Sequence, residues 1–190
     1  MGQTAATILG AVLAAGVALS GYVLTQAWNR RERRARTYAE ALSAMRDYQE
    51  VPYRIYRRQA SDAETRDRLG WLRGEAASKI SFYLAILEME SPLAWLAYRD
   101  LRNQTRRRGA LFSDWAWQQS PIDNDSSMAL NPPFRHDNND EERLCVACMR
   151  YDLKVLNWRR RRPLVAQMEI LRSRRESDAP PSFDEVERGV

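Results

Sequence analysis

A chain of 190 residues with a formal net charge of +5 has room for one domain and an anchor, and too little for two substantial domains. The basic side chains are almost all arginine, with Lys79 and Lys154 the only lysines, and acids interleave with them; a dedicated nucleic-acid binder would be more one-sided. Two cysteines, Cys145 and Cys148, exclude a disulfide framework and fit a reducing compartment.

No charged side chain occurs from Met1 to Asn29. Ala5 to Leu24 is a run of about 20 mostly apolar residues, which at about 1.5 Å each matches the roughly 30 Å hydrocarbon core of a bilayer. An isolated span must satisfy its own backbone in lipid, so it must be a helix. The reading predicts a transmembrane helix over 5–27, with 1–4 as a short external N-terminus. Tyr22 and Trp28 would sit at the headgroup layer where the span leaves the membrane. Beyond them Arg30, Arg31, Arg33, Arg34 and Arg36 face a single Glu32, a cluster that stays on the cytoplasmic side. The arginine excess fits a GC-rich coding bias, and so a bacterial or phage source. The expected location is a bacterial plasma membrane, crossed once, with the N-terminus outside and the C-terminus cytoplasmic. A cleaved signal peptide would carry its positive charges ahead of the apolar stretch, whereas here they follow it. N-myristoylation at Gly2 would need Ser or Thr where Ala6 stands. Ala6, Gly10, Ala14 and Ala18 recur every four residues, a small-residue face suited to contact between two spans; the plainer reading is that Ala and Gly are common in weakly apolar spans.

Residues 28–109 read as a stalk and helical bundle. Tyr38, Leu42, Met45 and Gln49 form one stripe of a stalk helix, flanked by Ala35 and Ala41, that ends at Val51-Pro52, because the residue before proline disfavours helical geometry. Ser61-Asp62-Ala63-Glu64 has the form of a capping box opening a second helix to Glu90, with Leu69, Leu72, Ala76, Ile80, Tyr83 and Leu87 as its buried face. Ser91 and Pro92 are the cap and first residue of a third helix, which Gly109 stops. Short connections between these helices favour antiparallel packing. Residues 80–98 are apolar enough to suggest a second span, but Glu88, Glu90 and Pro92 lie at its centre, and each central charge costs roughly 2.5–3.5 kcal/mol on insertion.

Residues 110–139 read as a long irregular loop, rich in Asn, Asp, Ser and Pro. Its aromatic stretch from Leu111 to Trp117 has packing on the bundle as the default role. Residues 140–176 read as a C-terminal helix kinked at Pro163, with the stripe Leu144, Cys148, Tyr151, Val155 and Trp158, and 177–190 as a disordered tail. The fold class expected is therefore all-α: a transmembrane helix continuing into a stalk, then a small cytoplasmic antiparallel bundle with one long loop.

No catalytic, cofactor-binding or metal-binding residue is assigned. Cys145-Val146-Ala147-Cys148 has the spacing of a redox pair or half a zinc site. It lies within a helical pattern, however, and His136 is the only histidine, so two small residues facing a core is the favoured reading. Glycine-rich phosphate loops, nucleophile elbows and histidine clusters are missing from the sequence. Arg159, Arg160, Arg161 and Arg162, with Arg172, Arg174 and Arg175, form a basic cluster that could meet an anionic partner. The function expected is a non-catalytic membrane-anchored cytoplasmic adaptor or scaffold, a class that includes phage and prophage accessory membrane proteins. Its partners would be the lipid bilayer and a protein, either another chain or a second copy, with no cofactor and no small-molecule substrate identified. Two rivals are a membrane-tethered nucleic-acid binder using the C-terminal arginines, and a lysis or permeability factor acting by association of spans.

Overall fold

The computed structural model describes residues 2–122, 138–154, 164–170 and 173, with side chains described from Gly16 onward. All regular structure among the described residues is helical: α1 Gly2–Tyr56, α2 Ala63–Glu90, α3 Pro92–Gln118 and α4 Asn139–Asp152, with 164–170 also helical. The all-α class expected from the sequence holds. The chain divides into two compact units, Met1–Glu40 and Ala41–Val190, so the division falls inside α1 and not at the foot of the apolar run.

In the first unit, Val17, Leu19, Tyr22, Val23 and Leu24 are exposed, and at 100° per residue they point to all sides of the helix. Ser20 Oγ donates to the Gly16 carbonyl at 2.8 Å and Thr25 Oγ1 to the Gly21 carbonyl at 2.9 Å, so both hydroxyls are satisfied within their own helix. Among the described residues no helix is long and apolar enough to cross a membrane. The part of the apolar run from Ala5 to Ala15 lies outside the described side chains.

The second unit is a bundle in which successive helices alternate in direction. Tyr98 donates to the Ala41 carbonyl at 2.8 Å, Gln49 meets Thr105 at 3.5 Å, and the Tyr53 and Phe112 rings lie 4.9 Å apart. Positions advance together along α1 and α3, so those helices run parallel. Between them α2 returns: Leu69 packs with Val51 and Ile55, while Ile80 lies beside Tyr48. Asn138, just before α4, bonds Thr105 at 3.1 Å, whereas Cys145 lies near Tyr98, so α4 also runs antiparallel to α3. Tyr98, Leu101, Phe112, Met45, Ile80 and Leu87 are the large buried side chains of this interior.

Several local expectations are corrected. Pro52 does not end the stalk helix; it is buried inside α1, which runs four residues further to Tyr56. Proline there forfeits the bond to the Tyr48 carbonyl, a loss of about 3 kcal/mol in a helix interior. The turn beyond it buries Ile55 and Tyr56, with Val51 just before it, against Phe112 and Ala116, and packing of that extent outweighs the loss. The cap of α2 is Asp62, whose Oδ1 accepts from the Thr65 N–H at 2.7 Å, while the Ser61 hydroxyl accepts from Arg58 at 2.9 Å. The Thr65 N–H holds the Asp62 carboxyl below the ordinary carboxylate value. Ser91 caps α3 as expected, with Pro92 following.

Gly109 does not stop α3. No glycine among the described residues has positive φ, and Gly109 is buried mid-helix, its carbonyl accepting from Ser113 at 2.6 Å. The helix continues to Gln118, so 110–118 is no loop: the aromatic stretch is its last turns, with Phe112 and Trp115 packed on Tyr53 and Tyr56. α4 starts at Asn139 but ends at Asp152, and its buried face is Glu141, Cys145, Cys148 and Met149, with Leu144 and Tyr151 half-buried. The expected loop from Asp123 to Asp137 (His136 included), the Pro163 kink, and Val155 and Trp158 lie outside the described residues, as does the tail 177–190. On α2, Leu69, Ala76, Ile80 and Leu87 are buried as expected, and Leu72 and Tyr83 are half-buried.

Arg58, 5% exposed, closes the end of the bundle. Its Nε donates to Ser61, one terminal nitrogen to the carbonyls of Ile55 at 3.1 Å and Ala116 at 2.6 Å, and the other to those of Trp117 at 3.2 Å and Gln119. All five guanidinium donors are used, and burial, with Arg66 nearby, pulls the Arg58 pKa below its ordinary value. Arg58→Ala should destabilise the full chain by about 3 kcal/mol, because buried carbonyls lose a charged donor. Ile80→Ala should cost about 2–5 kcal/mol, and the half-buried Leu42→Ala clearly less. Denaturant unfolding of the full chain in non-ionic detergent should show the smallest loss for Leu42→Ala; equal midpoints for Arg58→Ala and the parent would refute the closing role of Arg58.

Candidate functional site

Each candidate surface is set by helical geometry. On α1, Tyr22 and Trp28 are exposed, and the Arg31 guanidinium lies 5.8 Å from the Trp28 ring centroid. Arg30, Arg31, Arg33 and Arg36 are exposed and Arg34 is half-buried, so the basic cluster encircles the helix one turn beyond Trp28. Arg33 Nε bonds the Asn29 carbonyl at 3.3 Å. Of the small-residue face, Ala18 is exposed, while Ala6, Gly10 and Ala14 have side chains outside the described residues. The C-terminal cluster Arg159, Arg160, Arg161, Arg162, Arg172, Arg174 and Arg175 lies outside them entirely.

Cys145 and Cys148 are both fully buried and both free thiols. Burial first, then Cys148 and Glu142 nearby, push the Cys145 thiol well above its ordinary range, and burial pushes Cys148 up to about 11. A thiol so held is neither a ready nucleophile nor a ready metal ligand, since both roles need the thiolate. Among the described residues no group of three His, Cys, Asp or Glu side chains could hold a metal ion.

Two features were missed in the sequence. The first is the outer face of α2. Trp71, Phe82 and Met89 are exposed by 65%, 61% and 78% on one stripe, with Gly74, Ser78 and Ala85 exposed between them. Spacings of 3, 4 and 7 residues put all six within a narrow arc, opposite the buried Leu69, Ala76, Ile80 and Leu87. A Cβ added at Gly70 or Gly74 would meet nothing within 4 Å, so nothing in the chain's own packing requires glycine there. The signal was present in the apolar content of α2 on both faces, masked by the stronger inner stripe. The second is a cleft where α1, α2 and α3 meet, lined by Tyr48, Arg73, Ala77, Ile80, Arg102 and Arg106. Arg102 and Arg106 are one turn apart, as are Arg73 and Ala77, but nothing in the sequence says that the two pairs face each other.

No family model, curated protein or solved structure matches this chain.

The buried thiols give a pH-dependent expectation. Their folded pKa values lie above the ordinary 9.0, so the unfolded chain loses these protons first as pH rises. The stability they confer is therefore present below pH 9 and declines as pH rises from there, for Cys148 up to about 11 and for Cys145 beyond it. The Cys145→Ala, Cys148→Ala double variant should show a shallower decline over that window. A disulfide-exchange reagent should label the parent at pH 8 only after denaturant is added; rapid native labelling, or stoichiometric zinc abolished in the double variant, would contradict the buried-thiol assignment.

Proposed function

We propose that this chain is a non-catalytic, membrane-anchored helical scaffold that pairs with a second copy of itself through the outer face of α2. The observation that carries the reading is that α2 is apolar on two opposite faces and only one of them is covered. A helix apolar all round belongs in an interior. The exposed stripe runs from Trp71 to Met89, about 27 Å at 1.5 Å per residue. It is also self-complementary: two α2 helices laid antiparallel about Ser78 bring Phe82 over the partner's Gly74 and Trp71 over the partner's Ala85. Large side chains then meet positions that lack bulk. Gly70 and Gly74 each cost about 0.5–1 kcal/mol in a helix, a cost that close approach of a second helix offsets.

Anchoring is supported by α1. Its apolar side chains between Val17 and Leu24 are exposed on all sides, and its Ser20 and Thr25 hydroxyls are bonded internally, as lipid requires. The adjoining aromatic and arginine positions supply the asymmetry that keeps the following chain in the cytoplasm. The proposed address is a bacterial plasma membrane, with the N-terminus outside.

Two experiments test these halves separately. Ser78→Cys lies on the proposed two-fold axis, so mild oxidation of the full chain in detergent should give a disulfide-linked dimer. Asn103→Cys, exposed on α3, should not, and adding Gly74→Leu should suppress the Ser78→Cys product. Equal cross-linking at both sites would rule out pairing through this face. For orientation, a C-terminal fusion to a reporter active only outside the cytoplasm should stay silent. Activity from that fusion would overturn the topology.

A further inference from the structure

The cleft between α1, α2 and α3 has a volume of about 280 Å³ and is lined by three arginines, one tyrosine and two apolar side chains. Arg73 reaches it from α2, and Arg102 and Arg106 from α3, with Tyr48 of α1 at its wall and Ala77 and Ile80 beside them. Arg102 is half-buried, whereas Arg73 and Arg106 are exposed. Ion pairs form elsewhere: Arg46 with Glu142 at 2.7 Å, Arg57 with Glu50 at 3.8 Å, Arg99 with Asp100 at 4.0 Å. Among the described residues none joins Arg73, Arg102 or Arg106 to a carboxylate. Glu75, two positions from Arg73, is held by Lys79 at 2.9 Å. The cleft thus gathers three positive charges around one space, none of them ion-paired to a carboxylate among the described residues; the nearby acids Glu75 and Asp47 face Lys79.

Like charges gathered around one cleft repel, and an anion that enters replaces repulsion with attraction. We infer that this cleft binds a phosphate group carried on a small organic body. Guanidinium forks match the oxygens of phosphate two at a time, and three of them suit a group with several equivalent oxygens better than a carboxylate with two. The Tyr48 hydroxyl adds a neutral donor at the wall. Ala77 and Ile80 offer apolar surface to the carbon skeleton, and the volume lies just below the range of small-molecule sites, enough for a phosphomonoester and little more. The same chemistry is presented by a soluble phosphorylated metabolite and by the headgroup of an anionic lipid.

The test is calorimetric titration of the full chain in non-ionic detergent with two probes, glycerol 3-phosphate and dihexanoyl phosphatidic acid, with glycerol as the phosphate-free control. Saturable binding of either phosphate probe, and none of glycerol, is expected; the tighter probe identifies the metabolite or the lipid as the source. Arg102→Gln and Arg73→Gln should each weaken binding at least tenfold. Arg107→Gln, the same charge change beside but outside the cleft, should weaken it less than twofold. Without ligand, Arg73→Gln should melt no lower than the parent, because it relieves repulsion and breaks no ion pair. The inference is overturned if neither probe binds, if Arg107→Gln weakens binding as much as the cleft variants, or if a single-stranded oligonucleotide binds where both probes fail. The cleft is independent of the outer face of α2, so failure of Ser78→Cys to cross-link leaves this result to stand or fall alone.

Discussion

Three helix ends in the bundle are tied to one guanidinium. The C-terminal carbonyls of α1 and α3 point the negative ends of their helix dipoles toward the same place, and both sets need donors that their own helices cannot supply. Arg58 stands between them and gives each set its hydrogen bonds without a carboxylate partner. The peptide carbonyls act as the distributed counter-charge. The Trp117 ring, 5.0 Å from the guanidinium carbon, covers one face of the cation, and the Ser61 hydroxyl takes the remaining donor just before the cap of α2. The Arg58 carbonyl then accepts from Ile122, holding the chain as it leaves α3. Parallel alignment of α1 and α3 follows from this arrangement, because both must finish where Arg58 can reach them.

With those ends fixed, the irregularities nearby become intelligible. α1 passes through Pro52 because its final turn must arrive beside Phe112 and Ala116, and α3 passes through Gly109 for the same reason from the other side. The aromatic group of Tyr53, Tyr56, Phe112 and Trp115 fills the space that the two extended helices create, with ring separations of 4.9 to 6.4 Å. At the middle of α3 a second tie works differently. Thr105 accepts from both Gln49 and Asn138, and Arg108 donates to the Asn138 amide oxygen at 3.0 Å, which fixes where the chain re-enters the bundle to start α4.

Helix positions and most inward faces were legible in the sequence because periodic apolar residues report burial directly: Ala76, Ile80 and Leu87 needed no tertiary knowledge. Helix ends were less legible. Pro52 and Gly109 are breakers by local energy, and each is overruled by packing that spans some 60 residues of sequence, from the last turn of α1 to that of α3. On α4 the two cysteines face the interior as their size and spacing suggested, while Leu144 and Tyr151, expected on the same stripe by their bulk, flank it half-buried and Glu141 and Met149 complete it. Arg58 could not have been singled out among so many arginines, since a buried cation held only by carbonyls leaves no acidic residue at a telling spacing.

Arginine excess also shapes what the bundle offers its surroundings. When arginine is abundant, most side chains project into water and need nothing further, and a few find structural work, as Arg58 does. The informative ones are those that converge on one space without pairing to a carboxylate. Arg73, Arg102 and Arg106 are brought to one cleft by helix packing that is set by buried residues on the same helices: Ile80 on α2, and Leu101 and Thr105 beside the two arginines on α3. Moving the arginines apart would need no change to that core, because each sits at the border of its helix's buried stripe where a polar residue of any charge would serve. The bundle's fold therefore does not demand the concentration of charge, whereas an anionic ligand in the cleft would.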